Sequence, residues 1–404
     1  MSTSILYHAF GLHGYEHVKT TFEEGRVEFT VRHKRESYRC SACRCWGVIL
    51  HGEEERTFRT VSIGSKPVLL HVAIPRVECR ACGIIRQVRL SFAEPRYGYT
   101  RAFERYVLEL SRSMTILDVA RHLGIGWDTV KDIQKRNLQR RFKKVKLRDL
   151  QQIAIDEISI GKGHRYVTIV LNLLSGAVVF IGEGKGSDAL KPFWNQLKAS
   201  RARIKAVATD MSPAYIQAVQ EHLKKAVHVF DHFHVIKLFN EKLSNFRRQL
   251  FNEAIGPLAK KVLKGTRWLL LKNPENLDKK HNEHERLAEA LKLNEPLAKV
   301  YYMKEDLRQI WDQPDKATAR RVLDDWVRRA EAAGIEMLRK FAYTLAISKS
   351  AILAYYDYPI STGPLEGTNN KIRTMQRQAY GFRDNDFFKL KVLALHETKY
   401  ALVG

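Results

Sequence analysis

The stretch QQIAIDEISI (Gln151–Ile160) is where the chain changes period. Before it the apolar residues recur at helical spacing. From Ile153 onward they fill a short run with the β-branched content of a strand, interrupted by two carboxylates, Asp156 and Glu157. Downstream, YVTIVLNL and AVVFIGEG read as two more strands joined by turns at Gly161-Lys162-Gly163 and Ser175-Gly176. Helical ALKPFWNQLKA, strand IKAVATD, helical PAYIQAVQEHL and strand AVHVFD follow. Three consecutive strands and then alternating strands and helices predict a mixed sheet with helices packed on it. From about 233 to 350 every apolar stripe is helical and no strand candidate remains. Upstream, the basic run RRFKKVKLR (Arg140–Arg148) marks a boundary near 145–150.

Three carboxylates stand out against this pattern. Asp156 lies in the middle of the first strand of the sheet, Asp210 ends IKAVATD, and Glu366 opens a helix in STGPLEGTNNKIR. A charge placed among Ile, Val and Ala is costly unless partnered. If the first and fourth strands are neighbours, the two aspartates lie side by side. Hard oxygen ligands in that setting suit Mg²⁺ or Mn²⁺, and two such ions about 4 Å apart can clamp the attacking and leaving oxygens of a phosphodiester. The bland readings are a turn or edge role for either aspartate and a helix-dipole role for Glu366. Glu157, on the other strand face, is the decoy for Asp156. In FDHFHVIK, Asp231 emerges near the sheet end that carries Asp210; Asp231 or His234 reads either as a further metal or phosphate contact or as a hydrogen-bonding group at the strand-to-helix junction, the second being preferred for His234.

Two further modules precede the sheet. CSAC (Cys40, Cys43) and CRAC (Cys79, Cys82) are chelating knuckles, and together they predict one closed, structural Zn²⁺ site; TFRTVSI and VLLHVAIPRVE read as the strands that join them. Cys45 is left over. In TILDVARHLGIGWDTVKDIQKRNL (Thr115–Leu138), Val119, Ala120 and Leu123 face a core, Gly124 permits a sharp turn, and Val130 and Ile133 resume the stripe. That is a helix-turn-helix pattern. Its second helix is expected to present Trp127, Asp128, Thr129, Lys131 and Lys135 outward, with Arg136, Arg140 and Arg141 trailing. A plain helical hairpin with a solvated basic face is the alternative.

Composition narrows the class. The 404 residues carry Lys+Arg 69 against Asp+Glu 44, a net charge of +25, which points to an anionic polymer as partner, nucleic acid first. The length predicts two or three domains. Sixteen Tyr, 18 Phe and 6 Trp exclude disorder as the main state, and no apolar run reaches the length of a membrane span. Five cysteines, four of them in CxxC pairs, suit metal binding in a reducing compartment.

In the order zinc knuckles, helix-turn-helix, IDEIS with KGHRYVT, TDMSPAY, FDHFHVIK and GPLEGTNNKIRTMQRQAYGFRD, the chain resembles the ISL-three-type insertion-sequence transposases from about residue 36 to 400. The segment from Arg373 through RTMQRQAYGF departs from relatives that often carry lysine, but keeps the charge. The resemblance implies a ribonuclease-H-like core with an acidic triad at Asp156, Asp210 and Glu366, interrupted by an all-helical insertion. It places a zinc-ribbon domain at 1–95, a helix-turn-helix region with its basic linker at 96–148, the core at 149–235 and 350–404, and the insertion at 236–349. It further implies binding of double-stranded DNA at terminal inverted repeats and in the target, with strand cleavage and transfer; two Mg²⁺ (or Mn²⁺) ions are expected there, and Lys371, Arg373 and Arg377, at helical spacing after Glu366, are expected to hold nearby phosphates. A homodimer or higher oligomer on DNA, in the cytoplasm at the nucleoid, is expected. A DNA-binding regulator with an inactive sheet domain is the alternative from another class, and a host nuclease without preference for repeats is a third.

Overall fold

The computed structural model describes residues 5–161, 163, 165–254, 260, 263–264 and 266–397. The chain divides into two compact units. One gathers Met1–Lys143 with Thr374–Leu390, the other Lys144–Arg373 with Lys391–Glu397.

In the first unit, a short helix α1 (Ile5–Phe10) precedes strands β1 (Tyr15–Glu23), β2 (Arg26–His33), β3 (Val48–Ile63), β4 (Lys66–Cys79) and β5 (Ile85–Gln87). They form one sheet in the order β1-β2-β4-β3, with β5 on β4. Along β4, Val68, Leu70, Val72 and Ile74 alternate into the core with a period of two, against Phe58 and Phe92. The sheet is larger than a ribbon: β1 and β2 extend it beyond the strands expected between the knuckles, β1 almost wholly solvent-facing and β2 burying Val27, Phe29 and Val31 with a period of two. The long β3–β4 hairpin pairs Val48 with Cys79, which brings the two cysteine knuckles together at one end.

Helices α2 (Arg101–Leu110), α3 (Ile116–Leu123) and α4 (Trp127–Arg141) complete the described part of the N-terminal segment. Phe103, Val107, Val119, Ala120, Leu123, Val130 and Ile133 form their shared core. Thr115 caps α3 by accepting from the Asp118 N–H at 3.2 Å, and Gly124 takes φ +63° to make the turn into α4.

The second unit holds the mixed sheet. Its strands are β6 (Gln152–Gly161), β7 (Arg165–Asn172), β8 (Val178–Glu183), β9 (Ala206–Thr209) and β10 (Val227–Phe230), in the order β10-β9-β6-β7-β8. The first three are an antiparallel meander, while β9 and β10 run parallel to β6, so the first and fourth strands of the sheet are indeed neighbours. Lys162, in the first expected turn, lies outside the described residues. Helices α5 (Ser187–Ser200) and α6 (Pro213–His222) cover the sheet through Leu190, Phe193, Trp194 and Tyr215.

Beyond the sheet come α7 (His232–Glu253), α8 (Arg267–Leu271), α9 (Glu283–Leu293), α10 (Glu295–Arg308), α11 (Lys316–Ala332) and α12 (Glu336–Leu353). Phe239, Trp326 and Phe341 sit edge to face at their centre, and the Trp326 indole N–H donates to the Met303 carbonyl at 2.8 Å. The chain then returns through α13 (Gly363–Gln378) and α14 (Asn385–Leu393).

Candidate functional site

Register places the aspartates. The β6–β9 pairing aligns Gln152 with Ala206, Ile153 with Val207 and Ala154 with Ala208. Two residues further along both chains, Asp156 stands level with Asp210. The β10–β9 pairing aligns Phe230 with Thr209, so Asp231 follows at the same level. Continued past their last pairs, the two ladders put three carboxylates at the same end of three parallel strands.

Each is held differently. Asp156 Oδ1 accepts from the Glu157 N–H at 2.8 Å, and its Oδ2 accepts from Asn369 Nδ2 at 2.9 Å. Burial raises the Asp156 carboxyl above its ordinary range; the Glu157 N–H, His234 and the Asn369 amide pull it down, and the like charge of Asp210 adds to the rise. Asp210 Oδ1 accepts from the Ser212 N–H at 3.0 Å, at the entrance to α6. Glu157 is used on the opposite face, where Oε1 accepts from Gly186 N–H at 3.1 Å and from Tyr215 OH at 2.9 Å. Glu366 is exposed in the first turn of α13. Asn369 lies three residues on along the same helix, so Glu366 sits one turn from a side chain that touches Asp156. Among the described residues, Asp156, Asp210 and Glu366 do not close to within 4.8 Å of one another.

Two polar atoms at this site, Asn369 Oδ1 and His234 Nε2, are buried with no hydrogen-bond partner among the described residues. His234 Nε2 thus makes no bond to the strand-to-helix junction, whereas its backbone N–H does, donating to the Asp231 carbonyl at 3.1 Å. Hard carboxylate oxygens at one sheet end, with unpaired polar atoms beside them, form a donor set that fits divalent cations.

The cysteines gather as the knuckles predict. Cys40, Cys43, Cys79 and Cys82 bring their sulfurs within 4.8 Å of one another, with Cys40–Cys82 at 3.7 Å and Cys43–Cys79 at 3.4 Å. A tetrahedral Zn²⁺ with bonds of about 2.3 Å spaces its thiolates by about 3.8 Å, so the set fits zinc. Backbone N–H groups of Cys43 and Ala42 pull the Cys40 thiol down to about 6. Cys45 is exposed and outside the cluster. Cys79→Ser is expected to lose the zinc and with it the fold of this end of the sheet, since binding energy here is folding energy. Metal analysis of the purified variant checks this, and zinc retained at one per chain would contradict it.

The second helix of the helix-turn-helix departs from the expectation that its basic side chains point freely outward. Trp127 does, at 58 % exposed, as does Asp128, with Thr129 half-buried. Lys131 and Lys135 are instead half-buried against Asp384, at 3.0 Å and 2.8 Å. Although burial works the other way, hydrogen bonds from Lys135, the Phe387 N–H and Lys131 hold the Asp384 carboxyl well below its usual range. Arg136 packs 3.7 Å over the Tyr97 ring and 3.6 Å from Glu104, a buried carboxylate that also takes Arg140 at 3.0 Å. Arg141, Lys371, Arg373 and Arg377 are exposed. The sequence missed Glu104 and Asp384, whose partners lie tens to hundreds of residues away.

Comparison with known proteins gives three family matches. The DDE transposase family ISL3 matches residues 153–392, the helix-turn-helix domain of transposase family ISL3 matches 88–136, and the zinc finger of the IS204/IS1001/IS1096/IS1165 transposases matches 36–82. The chain is 34 % identical to the transposase for insertion sequence element IS1001 of Bordetella parapertussis over 388 residues, 95 % of each chain. It is 30 % identical to the transposase for IS1557 of Mycobacterium tuberculosis over 352 residues, 81 % of this chain and 78 % of that one. A solved Drosophila P element transposase strand transfer complex aligns at 10 % identity and a TM-score of 0.43 over 76 % of this chain and 94 % of that one, too distant to add to the family match.

Proposed function

The chain belongs to the ISL3 transposase family, and from that premise we propose that Asp156, Asp210 and Glu366 are its catalytic acids. It is a DNA transposase, a metal-dependent enzyme that cuts and transfers DNA strands. In the proposed site the three carboxylates hold two ions, Mg²⁺ or Mn²⁺. Such ions activate the attacking oxygen and neutralise the leaving oxygen of a phosphodiester. The chain's own task is to set the ligands. Asn369 fixes Asp156 Oδ2, the Ser212 N–H orients Asp210, and Tyr215 with Gly186 keeps Glu157 turned away. The observation that carries this reading is the shared rung of Asp156 and Asp210, with the Glu366 helix bonded to Asp156 through Asn369. Labelled terminal-repeat DNA given the native protein and Mg²⁺ should be nicked at the element boundary, and chelation with EDTA should stop it. Nicking that persists in EDTA would overturn the proposal.

Recognition of the terminal inverted repeats is assigned to the zinc-ribbon domain at 1–95 and the helix-turn-helix region at 96–148, through Trp127, Thr129, Lys131, Lys135, Arg136, Arg140 and Arg141. The core is assigned to 149–235 and 350–404 and the helical insertion to 236–349. Lys371, Arg373 and Arg377 are assigned to phosphates. A homodimer or larger assembly on the DNA of the nucleoid completes the reading; no described helix is long and apolar enough to cross a membrane.

Because Lys131 and Lys135 both hold Asp384, a DNA phosphate must take the place of that carboxylate. Asp384→Asn is therefore expected to tighten binding to the element end about fivefold, the equivalent of about 1 kcal/mol for a partly exposed pair. Fluorescence anisotropy at fixed low salt checks it. Unchanged or weaker binding would remove both lysines from the interface.

A further inference from the structure

Asp231 stands at the same sheet end as Asp210 and Asp156, but it is more heavily engaged than either, with three donors on its two oxygens. Its side chain is 1 % exposed. Oδ1 accepts from the Phe233 N–H at 3.1 Å, capping α7, and lies 3.3 Å from His232 Nδ1. Oδ2 accepts from the Thr362 N–H at 3.1 Å and also from the Thr362 hydroxyl. Thr362 is wholly buried and immediately precedes α13. Its carbonyl accepts from the Leu365 N–H at 2.8 Å and from the N–H of Glu366 itself at 3.1 Å.

A path thus runs from the Asp231 carboxylate to the Thr362 N–H, along the Thr362 backbone to its carbonyl, and from there by a hydrogen bond to the N–H of Glu366. One turn further, Asn369 ties the same helix to Asp156. The helix is attached to the sheet end at two points, with Glu366 between them. We infer that Asp231 and Thr362 form a clamp that positions Glu366 against the Asp156–Asp210 rung, so that this fourth acid acts on the metal site through α13 without touching the ions. The inference rests on Glu366 being a ligand. Physical reasoning favours the clamp over mere packing: a buried carboxylate needs several donors, and here two of them come from the one residue that starts the Glu366 helix.

The test uses full-length, DNA-free protein and Mn²⁺, with bound ion read from the loss of the free-ion electron paramagnetic signal. Thr362→Val removes the hydroxyl at nearly constant volume and is expected to weaken Mn²⁺ binding about tenfold with the thermal midpoint little changed. Thr362→Ser, which restores the donor, should bind as the native chain does. Asp231→Asn is the second variant: its carbonyl can still cap α7, but its amide meets the Thr362 N–H donor to donor, and it should weaken Mn²⁺ at least as much. Native affinity in Thr362→Val and Asp231→Asn, beside weakened binding in Glu366→Gln, would overturn the clamp and leave the acid triad standing. Native affinity in Glu366→Gln would overturn the triad and the clamp with it. Loss of Mn²⁺ binding only in step with loss of folded protein, in both clamp variants, would also overturn the clamp.

Discussion

Asp156→Asn and Asp210→Asn are each expected to lower Mg²⁺-dependent nicking of a terminal-repeat substrate by about a thousandfold or more. The ionic ligands of a phosphoryl-transfer site contribute several kcal/mol of transition-state stabilisation, and each 1.4 kcal/mol is about tenfold in rate. Asparagine keeps the volume, so neither change disturbs the rung that the strand register defines. The double variant should lose little more than either single one, because members of one site fail together. Stability moves the other way. Burial and Asp210 raise the Asp156 carboxyl in the folded chain, so its ionisation opposes folding once the pH exceeds the ordinary carboxylate range. In metal-free buffer at pH 7, Asp156→Asn should therefore melt at the same temperature as the native chain or higher, and that difference should vanish as the pH falls below about 4. Nicking assays and melting curves on the same preparations check both. A variant that is inactive because it is unfolded would contradict the account.

The second large effect is on DNA recognition. Trp127→Ala combined with Thr129→Ala in the full chain should abolish discrimination between the terminal repeat and unrelated DNA, while most of the non-specific affinity stays. Both side chains sit at the N-terminal end of α4, the end from which such helices reach base edges, and the Trp127 indole is already in solvent. Each good base contact is worth about 1–3 kcal/mol, so two lost contacts remove about a hundredfold or more of the preference. The phosphate contacts that set the salt dependence are assigned to other residues. Competitive binding with repeat and scrambled duplexes at two salt concentrations checks this. Retained discrimination would move the reader away from α4.

Sequence patterning revealed what is local. Asp156 and Asp210 stood out because a carboxylate inside a run of Ile, Val and Ala has few ordinary explanations, and the parallel β6–β9 pairing then put them on one rung. The cysteine knuckles were legible for the same reason: their spacing is a property of one turn. Asp231 shows the limit. A carboxylate between a strand and a helix reads as a cap, and it does cap α7, but its other oxygen is committed to Thr362, 131 residues away. Helical periodicity likewise placed Lys131 and Lys135 on an open face, whereas Asp384 meets Lys135 from 249 residues further along. Periodicity reports which side of a helix is polar; it carries no information about which distant charge covers that side.

The measurement that bears most directly on the catalytic reading compares Glu366→Gln with Glu157→Gln in 3′-end nicking of a labelled terminal-repeat duplex in Mg²⁺. Glutamine keeps the size and hydrogen-bonding shape of either side chain and removes only the charge. Glu366 is exposed in the first turn of α13, one turn before the Asn369 that bonds Asp156, whereas Glu157 is occupied by Gly186 and Tyr215 on the opposite face. The account predicts that nicking collapses by about a thousandfold in Glu366→Gln, with folding and end binding intact, and is largely retained in Glu157→Gln. If Glu366 served only the helix dipole, the cost would be about 0.3–1 kcal/mol of stability with the chemistry nearly unchanged. Robust nicking by Glu366→Gln would contradict the triad.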